Sequence, residues 1–201
     1  MRNHGKSDAS WDRWDVDENA DVVISILKEL GISSCNIVGW SMGSAVAMSI
    51  AKKNKPLVNK LVLITPFSWL GGAVYSDKVA FKIFVSFVRI RERLFPNFNP
   101  KSKFSFLKKS NSINDEYTEW AWNNLHKSKD DFIYADGGRF VVPYDARPWI
   151  QEIEAETLVI TGGRDKLVPE ETSNDVVKRL NEVKVKTFPD AGHSVPWTHE
   201  E

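Results

Sequence analysis

The chain has 201 residues, 42 % hydrophobic and 27 % charged, with 27 basic side chains against 27 acidic ones and a formal net charge of zero. That balance argues against a general nucleic-acid or anionic-membrane binder, both of which need an excess of positive charge on one face. A lone cysteine, Cys35, excludes an internal disulfide, and the most apolar stretch, residues 79–90, is interrupted by Lys82 and Arg89 and cannot span a bilayer. Apolar periodicity then predicts a helix over 15–30, with Val22, Val23, Ile24, Ile26, Leu27 and Leu30 as its apolar content and Gly31 as its stop. A short strand over 35–38 runs into Gly39-Trp40-Ser41-Met42-Gly43, and the Ala-rich stretch 44–52 suits a buried helix. Residues 60–65 form the next strand, closed by Pro66. Strand and helix alternation then stops until about residue 150 and resumes with a strand over 157–161, a helix over 169–182 and a strand over 183–188.

A strand, a G-x-S-x-G turn and a helix together read as a nucleophile elbow. The turn forces the serine into a strained backbone conformation that lifts its hydroxyl clear of the sheet, and flanking glycines avoid collisions with neighbouring backbone. A serine hydroxyl is a weak nucleophile at its own pKa, so Ser41 needs a base and a group to orient that base. Asp165 lies in Gly162-Gly163-Arg164-Asp165, a loop just past the 157–161 strand, and His193 lies in Pro189-Asp190-Ala191-Gly192-His193, past the 183–188 strand. Loops after the strands of a parallel sheet emerge at one edge, so the three can converge. The other histidines have weaker claims: His4 sits in an early turn, His126 beside Lys127, and His199 without a turn motif of its own. No Walker loop, G-x-G-x-x-G, H-E-x-x-H or Cys/His cluster occurs, so neither a cofactor nor a metal is expected.

Four motifs in this order resemble the α/β-hydrolase family over nearly the whole chain. Arg2-Asn3-His4-Gly5-Lys6-Ser7 is similar to the turn after the family's fourth strand, and the elbow, the G-x-x-D loop and the D-A-G-H loop are the others. The resemblance implies an α/β fold with a mostly parallel sheet and a helical cap insertion. It divides the chain into core over 1–67, lid over 68–150 and core again over 151–201. It also implies Ser41 as nucleophile, His193 as base and then acid, Asp165 as orienting carboxylate, and the Met42 backbone N–H as an oxyanion donor. A second donor belongs to a His-Gly loop after the family's third strand, which would precede Arg2. Met1 occupies the variable slot of the family's D-x-R turn, so a longer protein is expected, with an in-frame Asp just upstream and roughly 60 to 80 further residues carrying the first strands. A closing helix is expected after residues 194–201, and the 35–38 strand would form a bare apolar edge without the earlier strands.

The expected reaction is ester hydrolysis of a small apolar substrate through an acyl-enzyme. Amide, thioester, carbon–carbon and perhydrolytic chemistry use the same triad and stay open, as does oligomeric state. An aromatic-rich lid implies an apolar pocket, with Trp40, Trp69, Phe84, Phe87, Trp120 and Trp122 as candidate lining. The alternative is a non-catalytic or truncated relative that binds a small ligand or a partner. Residues 2–21 are polar with no apolar run of the signal-peptide kind, and a cytoplasmic location is expected.

Overall fold

The computed structural model describes residues 15–70 and 144–199, with Ser7, Ile90 and Leu94 as isolated positions besides. Helix α1 (Val16–Glu29) opens with a capping box: Asp15 Oδ1 accepts the Glu18 N–H at 2.9 Å, and Glu18 accepts the Asp15 N–H at 3.1 Å. It closes at Gly31, whose φ of 71° lets the Gly31 and Ile32 N–H groups turn back to the Lys28 and Leu27 carbonyls. Strand β1 (Cys35–Trp40) leads into α2 (Met42–Lys53), and a short 3-10 turn (Lys55–Leu57) carries the chain into β2 (Val58–Ile64). From residue 144 onward follow a 3-10 turn (Ile150–Glu152), β3 (Glu156–Gly162), α3 (Glu170–Arg179), β4 (Val183–Phe188) and the single-turn α4 (Val195–Thr198).

The four strands are parallel and lie in the order β1-β2-β3-β4. Every strand therefore ends at the same sheet edge, which brings the loops after β1, β3 and β4 together. Residues Ser44 to Ala51 of α2 are all buried, so the helix is enclosed and not amphipathic, and its small side chains allow close approach to Leu61 and Leu63 of β2. Val159 of β3 and Val176 of α3 complete this core. Among the described residues β1 is an edge strand, and Val38 on it is 65 % exposed. At the other edge, β4 turns Lys184 and Lys186 to solvent, a charge pattern that disfavours edge-to-edge pairing. Among the described residues, no helix is long and apolar enough to cross a membrane.

The described segments on either side of residues 71–143 are held side by side. Trp69 pairs with Asp145 in an antiparallel bridge, the Ala146 N–H donates to the Ser68 carbonyl at 2.7 Å, and the buried Ser173 hydroxyl donates to the Pro66 carbonyl at 2.6 Å. Tyr144 packs edge-on against Phe67 and Trp149, and burial pushes its phenol well above the usual range. The predicted lid stripes, including Phe84, Phe87, Trp120 and Trp122, lie outside the described residues.

Arg147 makes a two-point contact with Asp145, at 2.8 Å through Nε and 2.6 Å through a terminal nitrogen. That hydrogen bonding, with the nearby charges of Arg147 and Arg179, holds the Asp145 carboxyl below its ordinary value. A carboxyl depressed in the folded state contributes stability above its unfolded pKa near 3.9 and loses it as pH falls through the folded value. Asp145→Asn should therefore melt below wild type at neutral pH, and the gap should narrow as pH falls below the ordinary carboxylate range and through the lower folded value. The pair is half exposed, so the gap at neutral pH is no more than about 1 kcal/mol, or roughly 2–4 °C. Thermal melts of both proteins from about pH 7 to about pH 2.5 test this, and a gap that does not narrow toward the acid end would refute it.

Candidate active site

Ser41 is the N-cap of α2 and has φ 53° and ψ −120°, a conformation that an L-residue adopts only under strain. A serine at an N-cap ordinarily turns its hydroxyl onto the first turn of the helix. Here it makes no such bond, because the backbone points Oγ out of the helix. The turn is pinned instead by the Ser41 N–H donating to the Ile64 carbonyl at 2.9 Å and by the Ser44 hydroxyl donating to the Ser41 carbonyl at 2.5 Å. Gly39 is required sterically, since a Cβ there would stand 2.4 Å from the Gly43 carbonyl oxygen. Gly43 is different: a Cβ there meets nothing within 4 Å, so the collision expected for both flanking glycines exists for only one. Sequence spacing alone cannot tell which glycine faces backbone.

Asp165 is fixed by its own loop. Its Oδ1 accepts the N–H groups of Leu167 at 2.8 Å and Val168 at 3.0 Å, which leaves Oδ2 free to face across the sheet edge. The His193 loop lies directly against it, with the Gly163 N–H on the Phe188 carbonyl at 2.9 Å and the Arg164 N–H on the Ala191 carbonyl at 2.8 Å. Glycine makes this approach possible. A Cβ on Gly162 would sit 2.3 Å from the Gly192 oxygen and 2.6 Å from the Ala191 oxygen. Gly162→Ala must therefore push the two loops apart, at a cost of about 1–3 kcal/mol in stability. It should also lower turnover far more than an alanine at Gly43, and equal effects at both positions would contradict this geometry.

The three predicted residues meet. His193 Nδ1 lies 2.8 Å from Asp165 Oδ2, and His193 Nε2 lies 2.8 Å from Ser41 Oγ. Both the His193 and Asp165 side chains are more than nine-tenths buried. Met42 is the first residue of α2, so its N–H has no partner within the helix and stands at the positive end of the helix dipole beside Ser41.

The rival His199 is placed elsewhere: it faces Asp190 at 3.2 Å and Thr198 at 2.8 Å, with its ring tilted against Phe188 at 5.1 Å between centres. His4 and His126 lie outside the described residues. Trp40, expected as pocket lining, is half-buried and donates its indole N–H to the His193 carbonyl at 2.9 Å. Trp69, bridged to Asp145, lies under the Arg147 guanidinium, whose carbon is 4.6 Å from the indole ring centre. Cys35 is half-buried on β1, away from these loops. Among the described residues no group of three or more His, Cys, Asp or Glu side chains is arranged to hold a metal ion.

The alpha/beta hydrolase fold model matches residues 1–200 of the chain. The chain belongs to the α/β-hydrolase family. It is similar to a 2-hydroxy-6-oxo-6-phenylhexa-2,4-dienoate hydrolase of Burkholderia cepacia, 27 % identical over 192 residues that make up 90 % of this chain and 64 % of the relative. A 2-hydroxy-6-oxononadienedioate/2-hydroxy-6-oxononatrienedioate hydrolase of Comamonas testosteroni is 26 % identical over the same shares of each chain. The α/β-hydrolase chain thus spans just under two thirds of the length of these curated relatives. Among solved structures, an esterase from Exiguobacterium antarcticum superposes with a TM-score of 0.76 at 19 % identity, over 96 % of this chain and 72 % of that one. At that identity the likeness speaks for the fold alone.

Proposed function

We propose that the protein is a serine hydrolase that cleaves its substrate through an acyl-enzyme on Ser41. The observation that carries the reading is the pair of 2.8 Å contacts that line up Asp165, His193 and Ser41. His193 Nε2 takes the Ser41 proton as Oγ attacks the acyl carbon, and Asp165 Oδ2 accepts the Nδ1–H and stabilises the imidazolium that forms. The Met42 N–H donates to the oxyanion. His193 then protonates the leaving group, and water, deprotonated by the same nitrogen, releases the acid and restores Ser41.

A carboxylic ester with a small apolar acyl or alcohol group is the proposed substrate, because ester cleavage needs no machinery beyond nucleophile, base and oxyanion donor. Residues 68–150 would act as the lid, with Trp69, Phe84, Phe87, Trp120 and Trp122 toward the substrate. A second reading, hydrolysis of a carbon–carbon bond in a 2-hydroxy-6-oxodienoate, is favoured by the names of the two curated relatives. It makes a further demand, since a carbon leaving group must be stabilised and protonated. Assays with p-nitrophenyl butyrate and with 2-hydroxy-6-oxo-6-phenylhexa-2,4-dienoate decide between them. Turnover of the ester alone supports the first reading and turnover of the dienoate alone the second. Failure of both, with no labelling by a fluorophosphonate, would leave a ligand-binding member of the family.

A further inference from the structure

The elbow and the His193 loop are 152 residues apart in sequence, and among the described residues two direct hydrogen bonds join them. One is the Ser41 to His193 contact. The other runs from the Trp40 indole N–H to the His193 carbonyl oxygen at 2.9 Å. The Trp40 ring packs edge-on against Trp197 at 4.3 Å between centres, and its own centre stands 5.4 Å from that of the imidazole. Indole has a single donor and no acceptor, so this bond commits its entire hydrogen-bonding capacity to the main chain of the base.

We infer that Trp40 is a positioning residue for deacylation, which rests on the serine-hydrolase reading above. During acylation His193 is located by Ser41 itself, through the Oγ to Nε2 bond. Once Oγ carries an acyl group it has no proton to donate, and that bond is gone. Trp40 is then the hydrogen bond that keeps His193 in register with the elbow while the imidazole activates water. The step balances without any other reactant: water loses a proton to Nε2, its oxygen adds to the acyl carbon, and the Ser41 oxygen leaves with the proton from Nε2. A wall of the substrate pocket, the role expected from sequence, would instead show in substrate binding.

Trp40→Phe keeps a ring beside His193 and Trp197 but removes the donor. On an activated p-nitrophenyl ester its kcat should fall roughly five- to tenfold, as expected for one lost hydrogen bond acting on one step. KM should fall in parallel, kcat/KM should stay within about twofold, and a burst of nitrophenol should precede the slowed steady state. A parallel fall in kcat/KM, or unchanged kcat, would overturn the inference. A second measurement uses the wild-type protein: the Trp40 indole N–H should remain slow to exchange in NMR after Ser41 is phosphonylated, and fast exchange in that adduct would also overturn it. Wild-type protein that neither turns over ester nor takes up the phosphonate would refute the serine-hydrolase reading itself, whereas normal wild-type behaviour with an unaffected Trp40→Phe refutes the role of Trp40 alone.

Discussion

A fluorophosphonate probe is expected to label the protein at Ser41 and to leave Ser41→Ala unmarked. The probe reports on an oxygen that is both exposed by its backbone and deprotonated by a neighbour. Ser41 has the backbone for the first, with φ at 53°, and a base within reach for the second, with His193 Nε2 at 2.8 Å. Ester turnover should fall by about 10⁶ in the same variant, the scale seen when the nucleophile of a serine protease is removed. Stability gives an independent check on the geometry. An alanine side chain at this position would keep the unfavourable positive φ, whereas glycine would relieve it, so Ser41→Gly should be the more stable of the two inactive variants by about 1–2 kcal/mol. Labelling that survives in Ser41→Ala would place the nucleophile elsewhere. Equal melting temperatures for the alanine and glycine variants would mean that the elbow carries no such strain.

The parts of this fold that a reader of the sequence can locate are those whose causes are local. The strands over 35–38 and 60–65 and the helix over 15–30 are each written in a few adjacent side chains, and the observed elements begin and end within a few residues of those bounds. The meeting of Ser41, Asp165 and His193 was legible for another reason. A parallel sheet delivers the ends of its strands to one edge whatever the intervening sequence does. Contacts that depend on the three-dimensional approach of two loops were not legible. Nothing adjacent to Trp40 says that its indole will meet the carbonyl of His193, and nothing around Gly162 says that the Gly192 oxygen will lie where a Cβ would go. The spare space at Gly43 belongs to the same class, because the spacing of the motif is blind to what packs outside it. For the lining residues the obstacle is combinatorial: an aromatic stripe on a helix looks the same whether it faces a lid core or a ligand.

Asp165→Asn should reduce ester turnover by about 10⁴ while leaving the fold intact. The amide oxygen of asparagine can still accept the Leu167 and Val168 N–H groups that Oδ1 accepts now, so the loop keeps its shape. The amide nitrogen then takes the place of Oδ2, facing His193 Nδ1 at a site now 2.8 Å from a carboxylate oxygen. Two donors cannot share that contact, so the imidazole places its proton on Nε2 and can no longer accept one from Ser41. Charge is lost as well, and the imidazolium of the transition state goes uncompensated. Asp165→Ala separates the two contributions, since it removes the acceptor for both N–H groups and should add a stability loss of about 1–3 kcal/mol that the asparagine variant does not show. Rescue by a nearby acid is not available at the end of β2. Thr65, Pro66, Phe67 and Ser68 follow that strand without a carboxylate, and the Ser68 hydroxyl is already engaged by the Thr172 carbonyl at 3.3 Å. Steady-state kinetics and thermal melts on the two variants decide the matter: an asparagine variant with near-normal turnover would remove Asp165 from the reaction.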